Sequence, residues 1–451
     1  MRIKQIYVSG LFGIFDHVIP LNMDERITII HGPNGFGKTA ILRILNSFFN
    51  SRYAELRAIP FKKFRIEFDD STSVEIINNI ESLEKPKNKV FFNFYKHDLK
   101  TDSFTLKRVN YRDEREVFMS FSSDDLIPVK EQLYPTKLMN FSIEKHRYLE
   151  DYLQGFYSLS SSNFKSQEEP DWLGELRSNI HIRLIESQRL LNFIPNHSSR
   201  RSAETPSILS TVSAYSDELA KLMQDKFKEY GTISQSLDRT FPIRVVKQQP
   251  STDLTDEQLR HQLNELEATR SRLIEVGLLD KDEDTEFQIQ PQDIDESTKN
   301  ALSVYVQDVE KKLSVFAEIA SKIDLLRKII NNKFAYSYKE INFSKEKGFV
   351  VTTSYGSSLS NSKTLLPTDL SSGEQHELVL LYELLFKVKP NSLVLIDEPE
   401  LSLHVGWQVQ FLKDLQDITQ LADLNILMAT HSPDIIQDRW DLTVELKGPQ
   451  K

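Results

Sequence analysis

Apolar positions between Ile3 and His31 fall in three short groups: Ile6 and Val8, Val18 and Ile19, and the run Ile27, Thr28, Ile29, Ile30. They predict strand, turn, strand, strand. A glycine-rich turn follows, and Ile41, Leu42, Ile44 and Leu45 then take up helical spacing after Lys38. From Lys62 to about Phe121 the period changes to two. Phe64, Ile66 and Phe68 share one face and Val74 and Ile76 lie in a partner strand, which predicts an antiparallel β-lobe. Asp171 to Gln188 reads as a helix running into a strand of Ile180, Ile182 and Leu184.

A helical insertion is predicted from near Ser202 to about Phe334. Within it, Thr255 and Gln258 form a capping box ahead of Leu259, Leu263, Leu266 and Leu273. Leu302, Val309, Phe316, Ile323 and Ile330 recur at heptad spacing, with Val306 and Leu313 between them. A helix of an ordinary bundle and a short coiled coil account for that stripe equally well. Beyond a strand at Phe349 to Ser354, helices alternate with the apolar strands Val394–Ile396 and Ile426–Met428 and a last short one at Val444. That alternation predicts a parallel sheet covered on both sides.

Composition narrows the chemistry. There are 56 basic and 66 acidic residues in 451, a net charge of −10. A sequence-independent duplex binder needs cationic surface, which such a chain supplies only as a local patch. Cysteine is absent, which excludes disulfides, thiol catalysis, cysteine-ligated zinc and iron–sulfur clusters, and points to the cytoplasm. No apolar run approaches the ~18 residues of a membrane span. Arg2 and Lys4 precede an apolar stretch, but Ser9, Gly10, Gly13 and Asp16 break it, so a first strand is expected there and not a signal peptide.

The chemistry-bearing constellation starts at Gly32-Pro33-Asn34-Gly35-Phe36-Gly37-Lys38-Thr39, a GxxxxGKT pattern between a predicted strand and a predicted helix that Ala40 continues. Glycines let successive backbone N–H groups face phosphate, and the helix adds its positive end. Lys38 is placed to reach the β- and γ-phosphates and Thr39 to ligate Mg²⁺. Downstream, Leu393 to Pro399 is an apolar strand ending in Asp397 and Glu398. Asp397 suits the Mg²⁺ water shell, and Glu398 suits a general base for the attacking water.

Leu370-Ser371-Ser372-Gly373-Glu374-Gln375, opening a helix just before that strand, resembles the LSGGQ signature of ABC-type ATPases. Thr430-His431-Ser432 resembles the family's histidine switch, Gln188 stands where a Q-loop glutamine would, and Asp397 to His404 covers the D-loop. The resemblance implies a fold: an α/β ABC-type P-loop ATPase head, with a mixed or parallel sheet flanked by helices, an antiparallel β-lobe and a helical or short coiled-coil insertion. It divides the chain into an N-lobe over 1–201, the insertion over 202–340 and a C-lobe over 341–451.

The resemblance also implies ATP and Mg²⁺ as cofactors, with Thr39, Gln188 and Asp397 near the metal and Lys38, Glu398 and His431 catalytic. Ser371, Ser372 and Gly373 would contact the γ-phosphate bound by a second copy, giving a homodimer closed on shared ATP. Two departures stand out. Ser372 replaces the first signature glycine and is expected to restrict the backbone there, and Phe36 occupies a position where serine is common.

More chain separates Lys38 from Gly373 than a transporter cassette holds, which is similar to SMC, RecF and OLD-like ATPases. An SMC arm needs a longer insertion, zinc-hook repair ATPases need cysteines, and OLD nucleases need a TOPRIM domain for which the stretch after His431 is too short. The remaining resemblance is to stand-alone OLD-like ATPases of bacterial antiphage systems, the PARIS and Septu types. It implies a higher homo-oligomer that senses infection and controls a separate nuclease effector, with no membrane partner.

The alternative is a RecF-like DNA-repair ATPase that binds nucleic acid. Its basic patch would draw on Lys62, Lys63 and Arg65, or on Arg200 and Arg201. His404 suits either a contact to the opposing subunit or a structural hydrogen bond, while Trp407 and Phe411, four apart, suit packing.

Overall fold

The computed structural model describes residues 1–79, 89–106, 169–186, 190–193, 208–247, 255–281, 295–354 and 363–448. Strands β1 (Ile3–Leu11), β2 (Phe15–Pro20) and β3 (Ile27–His31) lead into the helix Lys38–Phe49. Strands β4 (Lys63–Phe68), β5 (Thr72–Asn79), β6 (Lys89–Lys96) and β7 (Leu99–Leu106) follow. They join the first two in an antiparallel sheet of order β2-β1-β4-β5-β6-β7, the expected β-lobe. Phe64, Ile66, Val74 and Ile76 point to its buried face, as the period-two pattern requires. The part of that reading beyond residue 106 lies outside the described residues.

The helix Asp171–Asn179 precedes β8 (Ile182–Ile185), with Ile180 serving as the helix's extended C-cap and not as strand. Strands β9 (Leu191–Phe193) and β10 (Ile208–Ser210) pair before the first long helix of the insertion, Thr211–Lys247. The expected start near Ser202 lies outside the described residues. Helix Asp256–Glu275 opens on the predicted capping box, with Thr255 and Gln258 bonded reciprocally.

The heptad stripe runs through helices Glu296–Leu313 and Ala317–Phe334, joined by a short 3-10 turn. It is buried against both earlier helices: Phe316 stacks on Tyr230 at 5.3 Å, and Leu259, Leu266 and Leu273 share its core. A three-stranded sheet of β11 (Lys339–Ser344), β12 (Gly348–Thr353) and β13 (Lys363–Leu365) brings the chain back to the head.

The remaining strands, β14 (Leu393–Asp397), β15 (Asn425–Ala429) and β16 (Thr443–Glu445), complete a parallel sheet of order β16-β3-β15-β14-β8. Successive residues of its strands alternate between two cores. Ile27, Ile29, Val394, Ile396, Ile426 and Met428 face the core of the insertion and the helices Ser372–Tyr382 and Val405–Ala422. Ile30, Leu393, Leu395, Leu427 and Ala429 face the core of helix Lys38–Phe49 and the antiparallel sheet. Strands covered on both sides must be apolar throughout, which is why these runs lack alternation in sequence.

Among the contacts by which the insertion docks is a close backbone approach at Ser216. Ser216 Oγ on the long helix donates to Lys347 O at 2.8 Å and accepts from the Phe349 N–H at 2.9 Å. Gly348, between them, has φ +69°, and a methyl there would lie 1.9 Å from the Ser216 carbonyl oxygen. Gly348→Ala is therefore expected to cost at least about 1 kcal/mol, from a disfavoured dihedral and a forced separation. Thermal or urea denaturation measures it; an unchanged midpoint would contradict this account of the docking.

Candidate functional site

Parallel strands deliver their C-terminal ends to one edge of the sheet, where ligands bind in open α/β folds. Three adjacent strands do so here. β3 runs into the glycine-rich turn, β14 ends at Asp397, and β15, paired between them, runs into Thr430 and His431. Their order therefore brings residues far apart in sequence to a single edge.

Pro33, Asn34 and Gly35 are exposed at the apex of the turn. Gly37 caps the helix at φ +93°, where a Cβ would fall 2.3 Å from Leu11 Cδ2, so β1 closes on the turn only because the residue is glycine. Lys38 Nζ donates to Gly32 O at 2.7 Å, to Pro33 O at 3.1 Å and to His431 Nδ1 at 3.3 Å. An ammonium only donates, so Nδ1 must be the accepting nitrogen. The ring proton then sits on Nε2, 3.0 Å from Glu398 Oε1. The His431 N–H is held by Glu400 Oε1 at 2.6 Å. Lys38, His431 and Glu398 thus form one line of polar contacts across the three strand ends. Burial lowers the Lys38 ammonium from its ordinary value, partly offset by Glu398, Asp397 and Glu400.

Thr39 Oγ1 donates to Asp397 Oδ1 at 3.0 Å. Burial pushes the Asp397 carboxyl up to about 6, against the downward pull of Thr39. A hydroxyl and one carboxylate are hard oxygen donors, the partial set with which Mg²⁺ binds when phosphates and water complete its shell. Among the described residues no three acidic, histidine or cysteine side chains gather into a protein-only metal site. Glu398 follows in the left-handed region at φ +46°, an uncommon backbone for a non-glycine residue that turns its side chain toward His431 and away from Asp397's partner. Gln188 lies outside the described residues. Two positions earlier, Glu186 accepts from Arg43 of helix Lys38–Phe49 at 3.2 Å.

Ser371 caps the helix Ser372–Tyr382 in a capping box with Glu374. Neither Ser372 nor Gly373 has positive φ, and both sit in ordinary right-handed helix. The expected restriction at Ser372 is accordingly absent: its position needs no glycine. Ser371 and Ser372 are exposed. Their helix packs on the core opposite to that of helix Lys38–Phe49, across the parallel sheet. The structure thus brings together Lys38, Thr39, Asp397, Glu398 and His431, and sets Ser371, Ser372 and Gly373 apart from them.

Phe36 is an anchor in the loop. It packs on Phe15 at 5.0 Å, and its carbonyl is held 3.0 Å from His17 Nε2. Sequence reasoning missed Phe15 and His17; alternation of Phe15 and His17 along a short strand is the only signal, and it reads as ordinary β-lobe. His404 is structural, since its Nδ1 accepts the Gly406 N–H at 3.2 Å to cap the following helix, on which Trp407 and Phe411 are buried.

Residues 1–436 match the AAA ATPase domain family, and the chain belongs to it. An ATPase domain of this family implies nucleotide binding, in keeping with the strand-edge loop. One stretch of 78 residues is 35% identical to the Septu protein PtuA of Bacillus thuringiensis, covering 17% of this chain and 19% of that protein; the match therefore spans about a fifth of the relative's length. Among solved structures, the Smc head domain with an extended coiled coil of Pyrococcus furiosus, bound to the C-terminal domain of ScpA, aligns over 99% of this chain and 94% of that one, with 13% identity and a TM-score of 0.32. The SMC head domain of Thermotoga maritima aligns over 97% and 92%, with 11% identity and a TM-score of 0.30. No described helix is long and apolar enough to cross a membrane.

A carboxyl with a folded value near 6 and an ordinary value of 3.8 binds its proton more tightly in the fold than out of it. The fold therefore loses stability as pH rises from about 4 to about 6 and carries the full penalty above that. Asp397→Asn removes the buried charge while keeping an oxygen for Thr39. It is expected to stabilise the nucleotide-free protein at neutral pH by on the order of 2 kcal/mol, and to make no difference below about pH 4. Denaturation curves of both proteins across that range decide it; equal stability at neutral pH would refute the buried charge.

Proposed function

We propose that the protein binds and hydrolyses ATP with Mg²⁺ as an ABC-type ATPase. We further propose that it serves as sensor and scaffold subunit of a bacterial antiphage system, switching a separate nuclease effector through ATP-dependent dimerisation. The observation that carries the reading is the split site. Lys38, Thr39, Asp397, Glu398 and His431 share one sheet edge, while the exposed Ser371 turn is built on the opposite core. A turn built on the opposite core from Lys38 and Thr39 supports the reading in which a second copy supplies it.

In this reading the phosphates take over the Lys38 donors now held by Gly32 O, Pro33 O and His431. Thr39 and Asp397 would hold Mg²⁺, which would supply stabilisation of the charge that develops on the transferring phosphoryl group. Glu398 accepts a proton from the attacking water, and His431, fixed by Glu398 and Glu400, orients toward the γ-phosphate. Ser371 of each copy reaches the other's γ-phosphate through its helix N-terminus. Hydrolysis removes that shared contact, so the two heads separate, a ligand-biased two-state switch. The segment over 202–340 serves as the arm through which partners act, between lobes over 1–201 and 341–451.

The Septu relative and the family membership support the defence setting. The DNA-repair reading is not favoured: Lys63 pairs with Glu75, and Arg65 pairs with Glu67 at 3.0 Å and Asp98 at 2.7 Å, which spends the charge a phosphate patch needs. Arg200 and Arg201 lie outside the described residues.

Glu398→Gln is expected to lower the hydrolysis rate by roughly 10²- to 10⁴-fold and to accumulate an ATP-bound dimer. Lys38→Ala is expected to form no dimer. Light scattering after gel filtration with ATP and Mg²⁺ measures both, and equal behaviour of the two variants would overturn the mechanism.

A further inference from the structure

We propose that the segment from Lys333 to Lys339, where the insertion's last helix turns into β11, sets the position of the signature serine. Lys333 and Lys339 act on Ser371 through Glu377 and Glu374. The inference deepens the dimer reading above and rests on it.

In an ordinary capping box the acidic partner lies at the helix surface and answers only to the cap. Here Glu374 is buried, only 4% exposed, and serves two masters. One of its oxygens, Oε2, accepts from the Ser371 N–H at 2.8 Å and from Ser371 Oγ at 2.9 Å. Lys339 Nζ grips both oxygens, at 3.0 and 2.7 Å, and Ser337 Oγ donates to Oε1 at 2.8 Å. Burial opposes the charge, but Lys339, Ser371 and Ser337 hold the carboxyl below its usual range. Ser371 is therefore fixed to the return strand of the insertion through a single carboxylate.

One turn further along the same helix face, Glu377 is wholly buried and pairs with Lys333, itself 1% exposed. Lys333 also reaches Asp414 Oδ2 at 2.8 Å, on the helix that follows the D-loop. Buried ions are costly and gain nothing over apolar packing unless their geometry matters, and removing one partner strands the other. Two such pairs, stacked on one helix and both anchored in the seven residues where the insertion rejoins the head, make a directional grip that apolar contact does not. A shift of the insertion would be passed to Ser371, and through Asp414 to the D-loop helix, before the core itself has to repack.

The test uses the full chain in the Glu398→Gln background. Lys339→Met is expected to leave affinity for a fluorescent ATP analogue, measured at protein concentrations below dimerisation, within about twofold of the parent, while raising the dimerisation midpoint roughly tenfold; Lys339→Arg should restore it. Lys333→Met should act in the same direction; should it fail to fold, Lys339→Met alone decides. In the otherwise unsubstituted chain, at concentrations below the Lys339→Met dimerisation midpoint, mixing Lys339→Met with Lys38→Ala should raise hydrolysis above the sum of the two alone, because one composite pocket then has an intact loop and an intact signature; no gain on mixing would overturn the proposal. Dimerisation of Lys339→Met equal to that of the Glu398→Gln parent would overturn the proposal, and so would loss of nucleotide affinity, which would mean a general structural role. If the parent itself stays monomeric with ATP and Mg²⁺, the dimer reading fails first.

Discussion

A parallel sheet covered on both faces has nowhere to put polar chemistry except its edges. The apolar interior positions of β3, β14 and β15 are committed to one of two cores, down to Ile27, Ile30, Val394, Leu395, Ile426 and Leu427. The site's polar residues therefore lie at the strand ends, as Asp397 does, or just past them. This one constraint explains why a lysine, a threonine, two carboxylates and a histidine gather from three separate stretches of sequence. It also explains their strained placement, with Glu398 left-handed immediately after a strand in which all five residues are buried.

The cost of that placement is visible in the charges. Asp397 is pushed up by burial and Lys38 pushed down by it. Both groups are thus held in a state that a metal–phosphate ligand would relieve, since the cation would offset the buried negative charge of one and the phosphates would pair with the other. His431 lies between Lys38 and Glu398 with a tautomer fixed by those neighbours. On the proposed reading such a site would meet a polyanion with charges already placed, which is the condition under which electrostatic catalysis is effective.

Much of this was legible in the sequence because it is local. The turn from Gly32 to Thr39, the strand before Asp397, the run before His431 and the box at Thr255 each carry their signal within a few residues, and the fold placed them as expected. What could not be read was non-local. The heptad stripe from Leu302 to Ile330 fits a coiled coil or a bundle until the helices at Thr211–Lys247 and Asp256–Glu275 are seen against it. Lys333, Lys339, Glu374, Glu377 and Asp414 look like solvated surface charges, since only the fold shows that they pair with one another in buried or half-buried positions. His17 beneath the Phe36 carbonyl was hidden in the same way.

The two cores also decide how such a protein can be switched. The phosphate loop rides on the core of the antiparallel sheet, and the signature turn rides on the core of the insertion, with a sheet five strands wide between them. On the proposed dimer reading, coupling passes either within the chain, along the shared strands and the turn Pro399–Ser402 that the helix Ser372–Tyr382 touches, or through another copy that brings the missing half to each loop. The second route is the softer, because it needs only rigid-body motion of whole heads and no repacking of a close-packed interior. On that reading a partner acting on the insertion would need to move just the turn that carries Ser371, and the buried Lys333 and half-buried Lys339 at the root of the insertion join the insertion to that turn's helix.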